Sequence, residues 1–199
     1  MPVSAESPRL RAEWHDAGAT WLVEEPDDAG LCSAAPLLSR WYNEPKNRAL
    51  LTNEHQLSAE EVVAHYADLR AAGDRPFLFF RDGALAGDGD LRAFSTGDAG
   101  PEAEFALLIG DLGIQGRGLG TRFSTLVLHL AFERLGLVRV YASVIPSNRG
   151  SLRMFEKLGF VVDDTPAGRR YAEHEHDVCL RLDAHQFQAA KQLNHRGGL

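Results

Sequence analysis

The chain has 199 residues, 44% apolar and 25% charged, with 28 acidic against 21 basic side chains and a formal net charge of −7. That length fits one domain with a real core, and the acidic balance argues against nucleic acid or an anionic membrane as the main partner while leaving room for a cationic substrate. Cys32 and Cys179 stand in no metal-like spacing, the start carries no apolar signal core, and no run approaches the roughly 20 apolar residues of a membrane span; a cytoplasmic, reducing setting is expected.

Residues 1–18 read as a loose segment ahead of a domain spanning 19–183. "TWLVEEP" reads as a first strand, and "AGLCSAAPLLSRWYNEP" as a helix ended by Pro45. "LSAEEVVAHYADLRAAG" is a stronger helix: Ser58 can cap it, Glu61 completes a capping box, and Gly73 closes it. "RPFLFFRDGALAGDGDLRAF" reads as a hairpin turning at Asp82-Gly83. The strand "AEFALLIG" follows, its alternation placing Glu104, Ala106 and Leu108 on one face and Phe105, Leu107 and Ile109 on the other.

The next helix carries Leu119, Phe123, Leu126, Val127 and Leu130 on one stripe. Leu128, Phe132 and Leu135 form a second, so it should be covered on two sides. "RVYASVIP" is a strand rich in β-branched residues. "SNRGSLRMFEKLG" is a short helix capped by Ser147 or Asn148 and stopped by Gly159. "FVVDDT" and "EHDVCLRL" read as strands around "PAGRRYAEH", and the tail 184–199 is a helix candidate that frays at its two glycines. A helical crossover between residues 103–110 and 139–146 makes those two strands parallel. The expected fold is α+β: a mixed, mostly antiparallel sheet with a central parallel pair and helices on both faces.

Five glycines fall between Gly110 and Gly120, where that strand gives way to a helix. Bare backbone at a helix start lets an anion approach the free N–H groups, and the helix dipole favours negative charge there. The spacing and late position do not suit a dinucleotide fold, and the Gly-Lys-Ser/Thr of a P-loop is absent. A tight turn with no ligand is the plain alternative. Gln115-Gly116-Arg117-Gly118-Leu119-Gly120, followed by "VIPSNRGSLRMFEKLGF", resembles the two signatures of the GNAT acetyltransferase superfamily, in the same order and separation.

The resemblance implies that the parallel strands splay around acyl-CoA, with acetyl-CoA as cosubstrate. The pyrophosphate would lie on the amides of Gln115 to Thr121, with Arg117 and Arg122 as further contacts, and Asn148, Ser151 and Phe155 would line the pantetheine end. Deprotonating an amine needs a base. Glu104 is the candidate, with Glu102 as competitor, and an amide near Leu108 or Ile109 would polarise the thioester carbonyl. Relatives often carry a tyrosine acid where this chain has Phe155. Tyr141, Tyr171 and the histidines near 174 are the substitutes considered.

The early helices resemble a GNAT subgroup that acetylates ribosomal-protein N-termini, polyamines, aminoglycosides and amino sugars. This points to Arg40, Trp41, Asn43, Glu44 and Tyr171 as acceptor contacts. The acceptor would be a small-molecule amine or a protein N-terminus, and a homodimer is left open. His174 and His176, with Glu173 or Asp177, fall short of the three or four ligands a metal usually needs, so no metal is expected. A GNAT-like module that binds acyl-CoA without transferring it is the alternative that Phe155 favours.

Overall fold

The computed structural model describes residues 8–16, 18–51, 55–113 and 115–189. Its sheet has eight strands: β1 (Arg11–Asp16), β2 (Ala19–Glu24), β3 (Arg75–Arg81), β4 (Ala84–Gly97), β5 (Gly100–Ile109), β6 (Arg139–Val144), β7 (Val161–Val162) and β8 (Val178–Asp183). Their order across the sheet is β1-β2-β3-β4-β5-β6-β8-β7, and every pairing is antiparallel except β5 with β6. The mixed α+β sheet is therefore the one expected. Residues 11–16 depart from expectation. They are not loose but form β1, because Trp14 and its neighbours pair in register with β2 from Arg11–Glu24 to Asp16–Ala19.

The helices are α1 (Asp28–Asn43), α2 (Pro45–Leu51), α3 (Ala59–Ala71), α4 (Leu119–His129), α5 (Arg149–Lys157) and α6 (Pro166–Arg169). Residues 184–189 are also helical. Local chemistry sets several of these boundaries. Ser58 accepts from the Glu61 amide while the Glu61 carboxylate accepts from the Ser58 amide, closing the capping box on α3. Gly73, at φ +86°, follows the end of that helix. α4 runs on into a π-turn over Leu130–Arg134, with the Leu135 amide reaching the Leu130 carbonyl.

Both faces of the sheet are covered. Phe77 and Phe79 of β3 pack into a core that holds Phe123, Val127 and Leu128 of α4 and Phe155 of α5. Leu78, between them in sequence, joins Leu31, Leu38, Val62 and Tyr66 of α1 and α3 on the opposite face. The register carries this division into the centre of the sheet. Leu78 lies opposite Asp88, and Asp88, Asp90 and Arg92 lie opposite Leu108, Ala106 and Glu104. A row of ionisable side chains on β4 therefore shares the α1/α3 face with Glu104.

Candidate active site

β5 and β6 pair only at Glu102–Arg139, Ala103–Val140 and Glu104–Tyr141. Beyond Glu104 the parallel strands part, and a cavity of about 640 Å3 opens there. Phe105 to Leu108 line one wall, Ser143 to Ile145 with Asn148, Ser151 and Phe155 the other, and Asp88, Asp90, Arg92, Glu173, His174 and Asp177 its polar part.

The glycine turn lies past the end of β5. Gly118 is the N-cap of α4 at φ +81° and offers no side-chain acceptor to the helix, so its first amides are left for another partner. Gly116, at φ +77°, is exposed with open space around it. Leu119 sends its side chain into the core, and Gly120 lies where a Cβ would meet the Met154 sulfur at 2.8 Å. At Leu119 and Gly120, then, only the backbone is available to a ligand. The Gln115 side chain turns inward, donating to the Ile109 carbonyl (2.8 Å) and to Asn47 Oδ1 (3.1 Å). Arg117 is exposed beside the turn, whereas Arg122 is held by Asp16 at 3.1 Å and lies over the Trp21 ring. The open strands and uncapped helix start fit an extended thioester arm ending in a diphosphate.

Asn148 caps α5 through the Ser151 amide (3.1 Å) and also lines the cavity. Phe155 is buried, edge-on to Phe105 and Phe160. Of the substitutes considered for the missing phenol, Tyr141 and Tyr171 stack on each other at 4.4 Å and neither lines the cavity. His174 does line it. Its amide donates to Asp177 Oδ2 (2.9 Å), as does the Ser143 hydroxyl (2.9 Å). His176 is exposed, and no group of three or more His, Cys, Asp or Glu side chains placed to hold a metal occurs among the described residues.

Glu104 is buried and accepts from Arg92 Nε at 3.0 Å. Burial pushes its carboxyl above the ordinary value, and Arg92 opposes the rise. Arg92 also reaches Glu173 and approaches Asp90 at 3.7 Å. Burial lifts Asp90 to about 7, with Arg92 working against that rise and the Asp88 and Glu104 charges adding to it. Asp88 is lifted by burial to about 6, despite the hydroxyls that Tyr42 and Tyr66 donate to its Oδ2. Glu102, the competitor for base, is buried elsewhere with Arg170, Arg139 and the Tyr171 hydroxyl.

The expected acceptor contacts do not gather in this cavity. Arg40, Trp41 and Glu44 line a separate cleft of about 340 Å3 with Gly110 to Leu112. The Trp41 ring lies on Gly110, where a Cβ would come within 1.9 Å of it. Asn43 braces the approach to α3, accepting from the Leu57 amide and donating to its carbonyl, both at 2.8 Å. Tyr171 belongs to the Glu102 cluster. Sequence reasoning missed Asp88, Asp90 and Arg92, although three ionisable residues at a two-residue period in "GDGDLR" signal one face of a strand. It also missed Asn47, whose Nδ2 donates to the Trp41 and Gly110 carbonyls (3.0 Å each) and so steadies the glycine turn.

Residues 25–161 match the Acetyltransferase (GNAT) domain family. The chain belongs to this family of acetyl-CoA-dependent acyltransferases. Alpha/beta-tubulin-N-acetyltransferase 9 of Mus musculus is 34% identical over 73 residues, a stretch covering 36% of this chain and only 30% of that relative. Among solved structures, aminoglycoside acetyltransferase AAC(6')-Ib with coenzyme A superposes with a TM-score of 0.66 at 18% identity, covering 80% of this chain and 95% of that one. Mycobacterium smegmatis RimJ with CoA-disulfide gives 0.67 at 18% identity, covering 86% and 90%. These two likenesses establish a shared fold. Among the described residues no helix is long and apolar enough to cross a membrane.

Proposed function

We propose that the chain transfers an acetyl group from acetyl-CoA to a primary amine by direct attack within a ternary complex. The observation that carries this reading is the parting of β5 and β6 after Glu104–Tyr141, beside the cavity and ahead of an uncapped helix start. Acetyl-CoA supplies an activated acyl group and a thiol leaving group. The α4 amides and Arg117 would hold its diphosphate, while Asn148 and Ser151 would border its arm. The Leu108 or the Ile109 amide is the donor proposed for the thioester carbonyl. The molecules named with relatives, kanamycin bound in one complex of AAC(6')-Ib and tubulin in the name of the mouse protein, both carry amino groups.

A lysine-like amine of pKa about 10.4 arrives protonated at neutral pH, so a carboxylate must take its proton. Glu104 is the proposed base, with Arg92 fixing its orientation. Asp90 is the second reading, favoured because it lines the cavity and has a carboxyl lifted to about 7. His174, positioned by Asp177, is the proposed donor of the proton that Phe155 cannot give. The test is thiol release from acetyl-CoA across a panel of amines, with Glu104→Gln and Asp90→Asn measured alongside. If Glu104 is the base, Glu104→Gln lowers kcat at least about a hundredfold with coenzyme affinity retained. A normal rate in Glu104→Gln with loss in Asp90→Asn would transfer the role to Asp90. Coenzyme binding without thiol release from any amine would favour the module that binds and does not transfer.

A further inference from the structure

We propose that Asp88, gripped by Tyr42 and Tyr66 at the wall of the cavity, is a binding site for a second ammonium group, so that the acceptor is a compact dication. The inference rests on the amine-acetylating reading above and deepens it. Asp88 is only 4% exposed, yet it lines the cavity. Its Oδ2 receives two phenol hydroxyls, from Tyr42 and from Tyr66 at 2.8 Å, while its Oδ1 is buried with no hydrogen-bond partner among the described residues. Two donors converging on one oxygen suit a carboxylate and leave the other oxygen as the acceptor that a ligand can use. A buried carboxylate oxygen left unsatisfied is costly, and such atoms in a cavity wall mark where a partner belongs.

Among the described residues no Lys or Arg pairs with it. Among the described residues Arg92 is the lone Lys or Arg lining the cavity, and its guanidinium is shared among Glu104, Glu173 and, at 3.7 Å, Asp90. No salt bridge among the described residues reaches Asp88. Asp90, two residues along the same strand face, has a buried Oδ1 with no hydrogen bond among the described residues, its one cation being Arg92 at 3.7 Å. Residues two apart on a strand lie roughly 7 Å from each other. That separation suits a short diamine, with its reacting nitrogen near Asp90 and Glu104 and its second nitrogen at Asp88. The Asp90 end is nearer Glu104, where the parallel strands begin to part. Lining the same cavity, Asp177 and Glu173 add to its negative potential.

The probes are diaminopropane and propylamine, which match in carbon chain and differ by one ammonium. Calorimetry of each into the protein saturated with coenzyme A reads binding, and thiol release from acetyl-CoA reads transfer. Wild-type protein should bind diaminopropane about tenfold more tightly or better, a ratio that corresponds to about 1.4 kcal/mol. In Asp88→Asn this preference should fall to near one. Equal affinities in the wild type, or a preference that survives Asp88→Asn, would overturn the site. Should Asp88→Asn fail to fold, the wild-type comparison decides alone. Diamine-selective binding with no thiol release would leave the site standing and sink the transfer reading. Thiol release with propylamine preferred would do the reverse.

Discussion

Replacing Asp90 by asparagine should stabilise the ligand-free protein at neutral and alkaline pH and leave it unchanged in acid. Burial lifts the Asp90 carboxyl from 3.8 to about 7. The unfolded chain therefore releases this proton near pH 4, while the folded chain keeps it until about pH 7. Between those limits the native state binds more protons, so its stability falls as pH rises. The gap is about three pH units. At about 1.4 kcal/mol for each, the ionised carboxylate costs the fold roughly 4 kcal/mol once the pH exceeds 7. That is a large part of a typical domain stability of about 5–15 kcal/mol. Asparagine keeps the size and loses the charge, and Arg92 still has Glu104 and Glu173 as partners. Urea unfolding of both proteins at pH 3 and pH 8 checks the expectation. The two should coincide at pH 3, and the variant should gain several kcal/mol at pH 8 with its m-value unchanged. No gain at pH 8, or an equal gain at both, would refute the claim that burial outweighs Arg92 at this carboxylate.

Two glycine substitutions separate support of the site from contact with its ligand. In Gly110→Ala the new methyl would sit 1.9 Å from a Trp41 ring carbon, so the ring must move off the end of β5; overpacking of this kind costs about 1–3 kcal/mol and should appear as a lower urea midpoint. Gly118→Ala forces a side chain into φ +81° at the N-cap of α4, a conformation that costs an L-residue roughly 1–2 kcal/mol. The turn should relax and misplace its amides, weakening coenzyme A binding about tenfold by calorimetry. An unchanged coenzyme affinity would mean that the amides of this turn hold nothing.

What could be read from the sequence was what neighbours along the chain decide. The α3 capping box needs residues three apart, the Asp82-Gly83 hairpin needs two, and the alternation that put Glu104 opposite in face to Phe105 needs consecutive positions. β1 escaped because "RAEWHD" is mostly exposed and has no apolar alternation. Its identity as a strand comes from the ladder to β2. Trp41 was expected beside the acceptor, yet its ring closes over Gly110, a fit that depends on α1 crossing the end of β5. A bulky aromatic near a site carries no sign of whether it meets the ligand or the backbone that shapes the site.

The acidic row on β4 is the clearest case. Its period was visible, but its meaning was not, since the two hydroxyls that hold Asp88 come from residues 46 and 22 positions away. Without them, Asp88 and Asp90 read as the solvated edge of a hairpin. With them, the same carboxylates are buried, Asp88 without an ion pair among the described residues and Asp90 with Arg92 at 3.7 Å, and both are lifted towards neutrality. The fold bears that cost in a cavity wall where a cationic acceptor would relieve it. Acceptor binding and folding stability are thereby coupled through the same two oxygens. A ligand that neutralises them should raise the melting temperature most above pH 7, where both carboxylates have lost their protons.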